Sequence, residues 1–396
     1  MAEDYLYAPG TSEADWQDEA PFEISAQGNH FTIYPAGSDR RGALLDLIHA
    51  ASSSLRLFYY MFVDDEIGYE VRDALVEALR RGVTVTLTVD SFGEDVAEGF
   101  FDPLVEAGGE YRRFMAKWSR RALIRNHQKM VIVDEKVAMI GGFNIERAYF
   151  DTPEADGWHD LGVRLEGPAV DQLLAWWNEL ADWVGQPRAQ FRSIVRKVTR
   201  WSPPKGPVRL LIGGPTKGLS SWARCVAEDL EQGDQLDMVM AYFSPSNKML
   251  GRIGDIALRG EARLVMAAKS DNGATIGATR SLYHYLLTQN AKIWEFRPTK
   301  LHMKLLVIDD AVYIGSANFD MRSLYVNLEL MLRIEDADFA ERMRQFIARH
   351  HTASKRITME EHRRHSTLWN RLRWNLSWFL VAVVDYNVAR RLNLGL

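Results

Sequence analysis

At 396 residues, 47% hydrophobic and 26% charged, the chain has the length for two or three domains with sizeable cores, and its composition is globular rather than disordered. A formal charge of −5 offers no general polyanion-binding surface, which counts against a nonspecific nucleic-acid binder. The single cysteine, Cys225, excludes an internal disulfide and any cysteine-based zinc site within one chain, and a reducing compartment suits it best.

Residues 1–25 are acidic, lack periodicity and include P-G-T-S, the signature of a flexible leader with no chemistry of its own. The first 39 residues hold eight acidic side chains and no Lys or Arg, unlike a secretory signal or transit peptide. No apolar run approaches the roughly 18 residues of a membrane span; near the C-terminus the longest is Trp378 to Val384. The expectation is a cytoplasmic protein. From His30 the pattern alternates strand (F-T-I-Y), helix (40–53), strand (L-R-L-F-Y-Y-M-F-V), helix (69–81), strand (V-T-V-T-L-T-V-D) and helix (96–107), which predicts a helix-covered sheet. A strand at 128–133, a hairpin partner V-A-M-I, a strand at 161–165 and a tryptophan-rich helix at 170–184 complete a first half, 26–200. The Pro-rich W-S-P-P-K-G-P at 201–207 marks a boundary, after which the pattern restarts and runs to 350. Residues 351–396 form a basic, aromatic tail.

One stretch occurs twice. H-Q-K-M-V-I-V-D at 127–134 and H-M-K-L-L-V-I-D at 302–309 are each followed by Gly and Asn, so His127, Lys129, Asp134, Gly141 and Asn144 match His302, Lys304, Asp309, Gly315 and Asn318. The histidines are 175 residues apart and the asparagines 174, a difference that a shorter turn in the second copy absorbs. The repeat continues downstream, where H-D-L-G-V-R-L-E (159–166) aligns with L-E-L-M-L-R-I-E (328–335) and sets Asp160 opposite Glu329. Two similar halves follow.

Residues i and i+2 of a strand point to one side, so each half presents one imidazole and one ammonium together. Two such halves facing each other across a pseudo-two-fold axis surround one point with two His and two Lys, beside the donors Asn144, Ser316 and Asn318. That cage suits a phosphodiester: lysine charge faces the non-bridging oxygens, one histidine attacks phosphorus to form a phosphohistidine, and the other serves as acid and then base. Asp160 and Glu329 are the candidates for orienting His127 and His302. Asp134 and Asp309 stand with the catalytic set through the motif, although Asp at a hairpin turn has a structural use of its own. Gly142 stands where the second half has Ser316, so the first half lacks that hydroxyl.

The paired H-x-K-x4-D segments resemble the signature of the phospholipase D superfamily over roughly residues 30–350. G-S-A-N-F-D-M-R-S-L-Y-V-N-L-E (315–329) and G-W-H-D-L-G-V-R-L-E-G-P-A-V (157–170) look like bacterial cardiolipin synthases of the form without N-terminal membrane spans. The resemblance implies a mixed α/β fold of two tandem αβα sandwich halves with one shared active site. It also implies a two-step phosphatidyl transfer without metal or cofactor, with His127 as nucleophile and His302 as acid and base. The family holds its imidazole with an acid about 28 positions after the motif histidine; Glu329 is 27 after His302, while Asp160 is 33 after His127 and requires an insertion near Y-F-D-T-P-E-A-D. The implied partners are phosphatidylglycerol, phosphatidylethanolamine and an anionic membrane surface at the inner face of the cell membrane, met by a monomer. Rival readings are a phospholipase D that passes the same intermediate to water, a phosphodiester nuclease and a noncatalytic lipid-binding scaffold.

From Arg349 to Arg373 there are seven Lys or Arg, two Glu and four His. Leu368, Leu372, Leu376, Leu380 and Val384 then recur every fourth residue beside Trp369, Trp374, Trp378 and Phe379. Two readings stand open: an amphipathic helix on an anionic bilayer, or a terminal helix packed on the protein's own core.

Overall fold

The computed structural model describes residues 16–115, 124–186 and 190–385. The chain begins with β1 (Phe22–Ala26), β2 (Asn29–Tyr34), α1 (Gly37–Ala50), β3 (Ser54–Val63), α2 (Glu66–Arg80) and β4 (Thr84–Asp95). The first half continues with α3 (Asp102–Glu106), β5 (Glu110–Phe114), β6 (Met130–Val133), β7 (Val137–Gly141), β8 (Trp158–His159), β9 (Gly162–Glu166), α4 (Ala169–Gly185) and α5 (Phe191–Arg200). The second opens with β10 (Val208–Gly213), α6 (Ser221–Gln232), β11 (Gln235–Met240), β12 (Phe243–Ser244), α7 (Asn247–Arg259), β13 (Glu261–Ala267) and α8 (Gly273–Thr288). Then come β14 (Lys292–Phe296), β15 (Lys300–Leu301), β16 (Lys304–Ile308), β17 (Ala311–Gly315), β18 (Phe319–Asp320), α9 (Met321–Tyr325), β19 (Glu329–Glu335) and α10 (Ala337–Thr352). The described chain ends with β20 (Ser354–Ile357), α11 (Met359–His365), α12 (Leu368–Trp378) and a π-helical turn, Phe379–Asp385.

Two eight-stranded mixed sheets result, ordered β1-β2-β9-β7-β6-β3-β4-β5 and β10-β19-β17-β16-β11-β13-β14-β20. Seven strands correspond in the same order; β1 extends one edge of the first sheet and β20 the opposite edge of the second. Alternation along the strands explains the layering. Met130 and Ile132 of β6 and Leu305 and Val307 of β16 turn inward to a common core with α4, α5 and α10. Val131 and Val133 turn outward under α1 and α2, and Leu306 and Ile308 under α6 and α7. A single apolar layer therefore joins the halves.

Three expectations need correction. The leader does not run to residue 25: Trp16 is buried, Asp18 Oδ1 lies 2.9 Å from Nδ1 of buried His159, Glu19 pairs with Arg342 and Arg349, and β1 joins the sheet. Residues 1–15 of that leader lie outside the described residues. The tail does not begin at 351, because β20 pairs with β14; its residues 386–396 are likewise outside the described ones. The helix expected over 96–107 is confined to Asp102–Glu106, since the chain before it continues as β4 to Asp95 and Gly99 takes φ +81°.

Candidate active site

The two motifs meet where backbone crosses from one half to the other. The His127 amide donates to the Leu328 carbonyl (2.8 Å) and the Leu328 amide to Arg125 (2.9 Å). On the other side the His302 amide donates to His159 (2.8 Å), and β8 runs parallel to β15. Each motif histidine is thus fixed by backbone beside the residue that precedes the other half's acid.

The acids follow. Nδ1 of His127 lies 3.1 Å from Oε2 of Glu329, and Nδ1 of His302 lies 2.7 Å from Oδ2 of Asp160. This corrects the reading that places each acid on the histidine of its own half: the pairing is crossed. Ladder register supports their equivalence, because Gly141 faces Gly162 and Gly315 faces Met331. A carboxylate on Nδ1 favours the tautomer with its proton there and leaves the Nε2 lone pair facing the cleft.

Lys129 donates to the His127 carbonyl at 2.7 Å and sits 5.2 Å from the centre of the Tyr60 ring. Lys304 donates to the His302 carbonyl and lies 2.9 Å from its Nδ1. Both lysines are buried. Burial, with the facing lysine, pushes Lys129 well below its ordinary pKa, and burial lowers Lys304 to about 8 despite Asp160 and Glu329. Burial brings His127 down to about 4, with Lys129 adding and Glu329 opposing; burial and Lys304 bring His302 to about 3. Burial would raise the two acids, but for Asp160 the charges of His302 and Lys304, and for Glu329 those of His127 and Lys129, hold the carboxyl below its usual range. Burial is the largest cause of the fall at both histidines and both lysines.

The other candidates are placed differently. The Ser316 hydroxyl, expected on phosphate, donates to Glu329 Oε2 at 2.6 Å and accepts from the Leu330 amide at 3.1 Å, and Ser323 donates to Glu329 Oε1 at 2.9 Å. Asn144 donates to Tyr149 Oη at 3.0 Å and accepts from the Met61 amide at 3.3 Å. Asn318 is buried, and among the described residues its Oδ1 has no hydrogen-bond partner. Asp134 and Asp309 lie at the far end of their strands, five residues and ~17 Å from the lysines. There Asp134 accepts from the amides of Ser52, Ser53 and Ser54 and two serine hydroxyls, and Asp309 from the amides of Asp234 and Gln235. They tie the hairpin to the sheet and touch neither histidine.

Composition concealed an aromatic wall. Around His302 stand Tyr149, Trp158 and Tyr242, with ring centres 5.0, 5.3 and 6.2 Å away, and Tyr149 Oη is 3.5 Å from Nε2. Around His127 stands Tyr60 at 5.0 Å. Tyr149 opens the insertion that the spacing of Asp160 demanded, and Trp158 follows it at the start of β8. Arg40, fully buried, holds this insertion by donating to the carbonyls of Tyr149, Trp158 and Asp160 at 2.7, 3.2 and 2.6 Å. The sequence carries no signal of Arg40's role beyond its place at the start of the helix expected over 40–53.

A family model described as "Cardiolipin synthase, PLD-like domain" matches residues 44–180 and 227–351. The chain is 30% identical to cardiolipin synthase 1 of Staphylococcus aureus over 85% of its own length and 70% of that protein's. It is 26% identical to the major cardiolipin synthase ClsA of Bacillus subtilis over 91% and 77%, and 27% identical to cardiolipin synthase B of Escherichia coli over 80% and 79%. Among solved structures, phosphatidylserine synthase of Haemophilus influenzae superposes with a TM-score of 0.72 at 14% identity, over 93% of this chain and 96% of that one, a likeness of fold.

Proposed function

Because the chain belongs to the phospholipase D-like cardiolipin synthase family, a family of phosphatidyltransferases, we propose that it makes cardiolipin, with phosphatidylglycerol as acceptor and phosphatidylglycerol or phosphatidylethanolamine as donor. The observation that carries the mechanism is the crossed pair of carboxylate-held histidines. Nε2 of His127 attacks the donor phosphorus. The bond from phosphorus to the headgroup oxygen breaks, and glycerol or ethanolamine leaves with a proton from Nε2 of His302. His302 then takes the proton of an acceptor hydroxyl as that oxygen bonds to phosphorus and the phosphorus–nitrogen bond to His127 breaks.

The asymmetry of the site supports these roles. His127 keeps 12% of its side chain exposed against 5% for His302, and among the described residues its Nε2 has no hydrogen-bond partner, as an attacking atom requires. Nε2 of His302 has Tyr149 beside it. Burial keeps both imidazoles neutral at pH 7; a bound phosphodiester's negative charge favours a proton on His302 and so lets it act as the acid. Lys129 and Lys304 meet the charge that grows on the non-bridging oxygens. One chain supplies both histidines and both acids, so a monomer suffices, and the substrates place it at the inner face of the cell membrane.

The test incubates the protein with phosphatidylglycerol vesicles, with and without phosphatidylethanolamine, and follows products by mass spectrometry. Cardiolipin with released glycerol or ethanolamine is expected and identifies the donor; phosphatidic acid as sole product would make the enzyme a hydrolase.

A further inference from the structure

Helix α12 answers neither tail reading alone. Trp374 is buried and Trp378 half-buried against the outer helical layer of the second half. At the crossing with α8, a Cβ on Gly277 would lie 2.6 Å from Ser377 Oγ, so the glycine is what lets the two helices touch. The opposite face carries Leu368, Trp369, Leu372, Leu376, Phe379 and Leu380, exposed by 86% at the first and 47% at the last. Six of the 13 exposed large hydrophobics among the described residues therefore lie on one stripe about 13 residues long.

Charge says what the stripe meets. From His362 to Val384 there are four Arg, at 363, 364, 371 and 373, and no Asp or Glu. Arg371 and Arg373 are exposed, flank Leu372, and have no carboxylate partner among the described residues. A second copy docking the same face by two-fold symmetry would set these arginines against each other. An anionic lipid surface satisfies both the leucines and the arginines.

Direction ties the stripe to the cleft. His362 meets Tyr283 and His284 in the middle of α8, and Ser377 meets Gly277, so α12 runs towards the start of α8. Just before that start, Asp271 accepts from the hydroxyl of Tyr242, which faces His302. From Gly277 to the first residue of α8, Gly273, is about 6 Å of helix rise, and Asp271 lies two residues beyond.

We propose that the exposed face of α12 and the turn after it dock the protein on an anionic phospholipid bilayer and hold the mouth of the cleft beside the lipid headgroups. The proposal rests on the phospholipid reading of the site. The test compares the full-length protein with the double variant Leu372→Glu, Leu376→Glu in co-sedimentation with phosphatidylglycerol vesicles and with phosphatidylcholine vesicles. Turnover is measured on phosphatidylglycerol vesicles and on monomeric short-chain phosphatidylglycerol. Expected are binding selective for phosphatidylglycerol vesicles, at least a tenfold loss of it in the variant, and a similar loss of vesicle turnover with short-chain turnover kept. Vesicle binding and turnover unchanged in the variant would overturn the proposal, as would a wild-type dimer that the variant dissociates. Arg371→Glu with Arg373→Glu, which leaves the apolar stripe intact, is expected to lose the selectivity for phosphatidylglycerol; selectivity retained there would also overturn it. Selective binding by a wild type that turns over neither substrate would leave the docking intact and sink the function instead.

Discussion

The two halves solve one problem with different side chains. The second half uses the longer Glu329 and buttresses it with two hydroxyls, Ser316 and Ser323. The first uses the shorter Asp160 and has no hydroxyl where the second has Ser316: a Cβ on Gly142 would lie 2.6 Å from Asp160 Oδ1. What sequence alignment presents as a lost serine is the space the carboxylate occupies. The first half then adds an insertion that opens with Tyr149 and leads into Trp158; Arg40 holds both carbonyls, and both rings wall His302. The repeat supplies two like histidines, and their unequal surroundings are the ground for the proposed division of labour.

That division breaks most sharply at the histidines themselves. His127→Ala removes the proposed attacking atom, and turnover should fall by on the order of 10⁴-fold or more, the upper range for a positioned catalytic group. His302→Ala should lose comparable turnover on phospholipid, yet still form a phosphoprotein from a phosphodiester whose leaving group needs no proton, such as a nitrophenyl ester. Mass spectrometry of the intact protein reads the adduct. An adduct in His127→Ala and none in His302→Ala would reverse the roles.

The crossing itself makes the next prediction. Glu329→Gln should slow formation of the adduct on His127, and Asp160→Asn should slow protonation of the leaving group by His302, each by about 10²- to 10⁴-fold, the worth of a correctly held acid or base. Rapid-quench kinetics separates the steps. If Glu329→Gln spared the adduct step and Asp160→Asn abolished it, the acids would serve their own halves in solution.

The repeat was legible because polar residues at fixed spacing on a strand have few explanations once they occur twice. Its crossing was not, because an acid's partner is decided at the junction of halves, by backbone contacts such as His127 to Leu328 and His302 to His159, which no local pattern encodes. Nothing in the sequence sets Tyr60, Tyr149, Trp158 and Tyr242 apart from other aromatics, and only the fold brings them around the imidazoles. The leader was misread for a related reason: acidity suggested a solvated segment, whereas Asp18 and Glu19 pair with His159 and Arg342, more than 100 residues away. The tail's periodicity was plain, but which face met protein depended on Gly277, far off in the chain.

The smallest expected effect separates scaffold from site. Both hairpin aspartates adopt a left-handed backbone, φ +51° at Asp134 and +46° at Asp309, so asparagine, which tolerates it, removes the charge without backbone strain. Partial burial works to raise the Asp134 carboxyl, but the hydrogen bonds from Ser54, Ser52 and Ser53 outweigh it and hold it below its ordinary value. Asp134→Asn should cost about 1–3 kcal/mol, and Asp309→Asn, with two donors to lose, under about 1 kcal/mol. Because the folded carboxyl of Asp134 titrates below the unfolded one, its contribution is complete above roughly pH 4 and fades as pH falls through the folded value. The gap in melting temperature between wild type and Asp134→Asn should therefore be full at pH 7 and narrower at pH 3, with kcat unchanged in both variants. A collapse of kcat in a variant that melts normally would return these residues to the chemistry, from ~17 Å away, and the distance is the reason to expect otherwise.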